Sequence, residues 1–211
     1  MKSKKEVVSI PVQLLSFFES VLRLKSVKRA GWVSKAGISN AESVSDHTYS
    51  MCAMGMILSD MLGLDTERVM KMIIIHDLAE SIIGDYMPNE ITREKKRLEE
   101  GKAMSCILYQ VPSVARSSYE MIWQEYQANK TRAAKFVHKL DKLEMAVQSI
   151  QYINQGYSSK VLLQFFASAR RSLGKFDIDN KNLGSDIMVG ILHDLEVNII
   201  KQKGYEKNVP R

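Results

Sequence analysis

Cysteine is nearly missing from this chain of 211 residues: there are two, Cys52 and Cys106, in no metal-type spacing. That argues against a disulfide scaffold and a thiolate zinc site. Both cysteines read as reduced core thiols. Proline (four) and glycine (11) are also sparse, against what a turn-dense, sheet-rich fold needs. No uninterrupted apolar run nears the roughly 20 residues of a membrane span. The opening MKSKKEVVSIPVQ has no apolar signal-peptide segment. The expectation is a cytoplasmic protein with no membrane partner.

What is present is an ordinary globular mixture, 45% hydrophobic and 26% charged, with 12 methionines suited to filling gaps between helices. The net charge is +6, but the basic residues are scattered and none of the basic runs is interleaved with aromatics. A nucleic-acid partner is therefore not expected. No additional basic cluster flanks the chemistry-bearing stretches described below.

The apolar period is helical throughout. Pro11 opens a first helix with Leu14, Phe17, Phe18, Val21 and Leu22 on one face. Residues 26–42 read as a long connection. Ser43 to Asp46 fit a capping box for a second helix, which stops at Gly63. Asp65 or Thr66 caps a third, ending near Gly84. Further helices are predicted over 93–110, from Pro112-Ser113 through Tyr126, and over about 131–153, 158–172 and 185–203. EKNVPR reads as a frayed tail. The class is all-α, a bundle of about eight helices in one domain over 1–211, with its core in about 11–170 and C-terminal helices in about 158–203.

Residues 70–85, MKMIIIHDLAESIIGD, put His76, Asp77, Glu80 and Asp85 into an otherwise apolar segment. On a continuous helix His76, Asp77 and Glu80 share one sector of about one turn. A buried carboxylate needs a partner, and a divalent cation suits one beside an imidazole. Other ligands must come from elsewhere. His47 shares an inward face with Met51 and Met54, and by itself reads as a core histidine. Asp141 shares a face with Val137 and Glu144, and by itself reads as a surface acid paired with lysine. His138 reads as a helix-surface residue. His193-Asp194 repeats the dipeptide in an amphipathic helix with no aspartate downstream, and reads as structural or exposed.

The order His47, His76-Asp77, Asp141 resembles the HD-domain phosphohydrolase superfamily. ESVSDHTYSM, HDLAESIIGD, Pro88 and AKFVHKLDKLEM resemble its 5′-deoxynucleotidase branch, over roughly residues 11–170. The resemblance implies that His47, His76, Asp77 and Asp141 hold one divalent metal ion (Mn2+, Co2+, Zn2+, Mg2+ or Fe2+). It implies that Glu80 handles a proton, and that Asp85 positions nucleoside or water, where the residues alone allow a loop cap. Arg29 would hold the phosphate, with Lys35 a second candidate. Trp32 would contact substrate or pack as core or lid, the order here being Arg-Ala-Gly-Trp. A homodimer is also implied. The expected activity is metal-dependent release of phosphate from deoxynucleoside 5′-monophosphates. The alternatives are an HD-type phosphodiesterase or nucleoside triphosphohydrolase, and a non-catalytic nucleotide- or nucleic-acid-binding module.

Overall fold

The structure, a computed structural model, describes residues 9–87, 90–174 and 183–206. Pro88 and the end of the expected frayed tail lie outside them. The described residues form ten helices and no strand. No helix among them is long and apolar enough to cross a membrane.

Local chemistry sets most boundaries. Helix α1 (Ile10–Arg23) has Pro11 in its first turn. Helix α3 (Val44–Met61) starts with a complete capping box, Ser43 accepting from the Asp46 backbone and Asp46 from that of Ser43. Asp65 and Thr92 cap α4 (Thr66–Ile75) and α6 (Arg93–Tyr109), and Thr131 caps α8 (Arg132–Asn154). Between α6 and α8 lies α7 (Ser113–Ala128), begun at Pro112. Helices α9 (Ser159–Gly174) and α10 (Leu183–Glu206) close the chain.

Two elements depart from the sequence expectation. The connection 26–42 contains a helix, α2 (Ala30–Ala36), starting one residue after Arg29. It is seven residues long, too short to show an apolar period. The predicted third helix is also broken: α4 stops at Ile75, and α5 (Glu80–Ile83) is a separate turn.

The core gathers Met51, Val69, Met72, Ile73, Met104, Ile107, Val137 and Leu140. Helix α8 runs at its centre, packed on α9, α3, α4, α7 and α10. The approach of α3 to α4 and α8 depends on Gly55. A Cβ there would sit 2.5 Å from Ile73 Cδ1 and 2.9 Å from Leu140 Cδ2. A satellite cluster of Trp32, Ile38, Ala41, Tyr152 and Leu162 holds α2 against α9. The expected apolar face of α1 is only partly used, since Phe17 packs on the core while Phe18 and Leu22 are exposed. Cys52 is half-buried, but Cys106 is exposed and so not the core thiol expected.

Candidate metal centre

Three helices deliver the chemistry. His47 comes from the first turn of α3, His76 and Asp77 from the break after α4, and Asp141 from mid-α8. One ligand atom each from His47, His76 and Asp77 lies within 4.8 Å of the others. His76 Nε2 is 3.1 Å from Asp77 Oδ2. His47 Nε2 is 3.4 Å from Asp141 Oδ1 and 4.0 Å from Asp77 Oδ2.

The break that the sequence did not foretell shapes this site. Through it the amides of His76, Leu78, Glu80, Ser81 and Ile82 bond three residues back instead of four. An α-helical continuation would give the Ile73 carbonyl to the Asp77 amide. Here that carbonyl accepts from His76 Nδ1 at 2.7 Å. Nothing in His-Asp-Leu-Ala forbids a helix, so local sequence carried no warning.

Each imidazole is anchored through Nδ1 and bare at Nε2. His47 Nδ1 faces Glu144 Oε2 at 2.5 Å, as His76 Nδ1 faces Ile73. Both Nε2 atoms are buried without a hydrogen-bond partner. A buried nitrogen left unbonded is costly unless something binds it. Carboxylate or carbonyl on one nitrogen and metal on the other is how ligating histidines are oriented. The donor set therefore fits a divalent ion. A second grouping, Glu42, His47 and Glu144, is also close enough for an ion. There, however, Glu144 already bonds His47 Nδ1, and Glu42 accepts from Trp32 Nε1 at 2.8 Å.

Arg29 sits over the acids, Nη1 3.2 Å from Asp77 Oδ2 and Nη2 3.7 Å from Asp141 Oδ1. Burial works against its charge, but Asp77, Asp141, Asp85 and Glu80 outweigh burial and raise its pKa. Burial would lift the two aspartates in turn. His76 and Arg29 hold Asp77 well below the usual carboxylate range, and Lys142, His47 and Arg29 do the same for Asp141. His47 loses proton affinity to burial and Arg29, yet the Asp141 and Glu144 carboxylates beside it prevail and take it to about 9.

Glu80 is 4% exposed, with Oε2 unpartnered. Burial first, then Asp77 and Asp85, push its pKa well above the usual value against Arg29 and Lys96. Asp85 Oδ2 accepts from the Ala30 amide at 2.8 Å, so it caps the start of α2. That is the loop-capping role the residues alone allowed. Trp32 is core: it bonds Glu42 and packs on Tyr152 and Phe165. Lys35 lies over the Phe165 ring at the cleft wall.

Every sequence-predicted site residue except the buried His47 lines a cleft of about 670 Å³. It corrects two sequence expectations. Lys35, Lys96, Lys142 and Arg171, scattered along the chain, all line it, so basic residues do flank the centre. His138 is no surface residue but a half-buried wall, stacked on Tyr126 at 4.2 Å. Tyr126, Glu42 and Glu144 were not singled out from sequence. Only Glu144 left a trace there, three residues beyond Asp141 on the same helix face. Tyr126 meets the edge of His76 at 5.9 Å, and burial, Asp77 and Asp141 push its pKa well up.

Comparison with known proteins gives the same family. Residues 21–177 match the HD domain model. The chain is 36% identical to 5′-deoxynucleotidase HDDC2 of Homo sapiens over 165 residues, 78% of each chain. It is 38% identical to 5′-deoxynucleotidase HDDC2 of Dictyostelium discoideum, covering 77% of this chain and 89% of that one. Among solved structures, the PH0347 protein from Pyrococcus horikoshii OT3 superposes with a TM-score of 0.71 at 27% identity, over 86% of this chain and 99% of that one. With a family model over most of its length and relatives at 36% and 38% identity over more than three quarters of it, this chain belongs to the HD domain family.

Proposed function

We propose that this chain releases orthophosphate from deoxynucleoside 5′-monophosphates with the help of one divalent metal ion. One observation carries the reading. Two buried imidazole nitrogens without partners converge with Asp77 and Asp141 beneath an arginine, in a cleft of nucleotide size. The relatives named 5′-deoxynucleotidase support the substrate class.

His47, His76, Asp77 and Asp141 would hold the ion. Bound there, it supplies Lewis acidity to the phosphoryl group and to water. Arg29 binds phosphate oxygens with its guanidinium fork. Asp85 fixes the start of α2 and with it the place of Arg29. Glu80, disposed by burial and neighbouring acids to keep its proton, gives that proton to the 5′ oxygen as the P–O bond breaks. Trp32 acts by supporting α2 from the core. Lys35 stands at the wall as an accessory cation. The homodimer implied by resemblance belongs to the same reading, with sedimentation velocity as its check.

The test is a metal-by-nucleotide matrix on chelator-stripped protein, reading phosphate release from dAMP, AMP and dATP with Mn2+, Co2+, Zn2+, Mg2+ or Fe2+. Release from dAMP only when metal is restored is expected. No release with any metal would leave a nucleotide-binding module. The four cations that line the cleft besides Arg29 favour a second reading, in which a longer phosphate chain is accepted. Turnover of dATP above dAMP would select it.

A further inference from the structure

Tyr126 is 8% exposed, and its ring is held on three sides. His138 stacks on one face at 4.2 Å, Trp123 lies against it at 5.8 Å, and the His76 ring meets it edge-on at 5.9 Å. His138 also donates from Nε2 to the Tyr126 carbonyl at 3.0 Å, tying α8 to this turn of α7. A buried tyrosine normally bonds its hydroxyl. Its hydroxyl makes no hydrogen bond to a described residue and is not among the buried unpartnered atoms, so it is open to the cleft, near four carboxylates. What remains exposed of Tyr126 lines the cleft beside His76, Asp77 and Glu80.

A donor held in place by three rings and left open to the cleft is set for a ligand, whereas a purely packing role would need only the ring. We infer that the Tyr126 hydroxyl is a substrate contact, donating a hydrogen bond to a non-bridging oxygen of the bound phosphoryl group. A phenol is a neutral donor at physiological pH, and the non-bridging oxygens of a phosphate are acceptors suited to it. Arg29 offers the same group its charge. Tyr126 offers a donor whose position three rings fix in advance, which is how a site favours one arrangement of developing charge. His138 acts through Tyr126 as a positioning residue, which gives this cleft-lining histidine its task.

The inference rests on the proposed phosphatase reading, and its test separates the two. Tyr126→Phe keeps the ring and removes only the hydroxyl. In the metal-loaded protein, kcat/KM for dAMP should fall roughly 10- to 100-fold, the value of a hydrogen bond to a charged group. Binding of inorganic phosphate, measured by calorimetry without turnover, should weaken as well. Metal content and melting temperature should stay as in the parent. Unchanged phosphate affinity in Tyr126→Phe overturns the inference, even if dAMP is hydrolysed. Loss of metal or early melting in that variant also overturns it, by assigning the hydroxyl to the fold. A parent protein that binds phosphate yet never hydrolyses dAMP defeats the phosphatase reading, while the calorimetric comparison still decides on Tyr126.

Discussion

The chain contains the dipeptide His-Asp twice, with opposite fates. His76-Asp77 is enclosed, its imidazole anchored to a carbonyl and its Asp side chain bridged to Arg29. His193-Asp194 lies on the outer face of α10, its side chains 67% and 84% exposed and 3.6 Å apart in solvent. Both imidazoles stand beside a carboxylate. Only the first pair lies where α3 and α8 bring His47 and Asp141 to it, and only there is the helix interrupted. Convergence of elements, not the dipeptide, makes the site.

Chelation and His76→Ala should show the contrast at its strongest. Either should abolish dAMP hydrolysis, with bound metal lost, whereas His193→Ala should keep both. Metal per chain and phosphate release on the same samples decide it. A folded His193→Ala protein as damaged as His76→Ala would mean that α10 reaches the centre.

Glu80→Gln should keep the ion and lose about 10²–10⁴-fold in kcat, because the amide cannot exchange a proton. A metal-loaded variant at parental speed would return Glu80 to a structural part.

Metal uptake should also report the difference in setting. In the metal-free protein His47 carries a proton below about pH 9, and an ion must displace it. Affinity should therefore rise by about tenfold per pH unit from pH 7 toward pH 9, with one proton released on binding. A flat profile in that window would show that metal displaces no proton from His47 there. Glu144→Gln should weaken metal binding by roughly 10- to 100-fold, since it unties the nitrogen that fixes the His47 tautomer. Equal affinity would leave Glu144 a packing residue. The smallest effect belongs to Asp194→Asn, expected within about ±0.5 kcal/mol of the parent in denaturant melts.

How much of this was visible beforehand follows from the range of each interaction. Helix starts were legible because caps are local: Ser43 with Asp46, Pro112 with Ser113. The break at residues 76–79 was not, because its cause is an imidazole claiming a carbonyl in a folded pocket. Helix α2 escaped because its hold is the distant cluster of Tyr152 and Leu162. The candidate ligands stood out through order and resemblance. The cations of the cleft did not, since Lys35, Lys96, Lys142 and Arg171 meet only once α2, α6, α8 and α9 are assembled. Tyr126 was indistinguishable from any other apolar-face residue of an amphipathic helix.

Gly55 ties these ranges together. It carries no chemistry, yet the side chains crowding the space above it belong to Ile73, three residues before His76, and Leu140, next to Asp141. Both are fully buried and have little room to retreat. One added methyl would push aside the ends of two side chains on the helices that carry the candidate ligands, while metal distances tolerate only about 0.2 Å. A chain with alanine at this position would still spell every catalytic motif correctly. Reading the motif as proof of function would fail there, because the spacing between its letters in space is written at a position the motif does not contain.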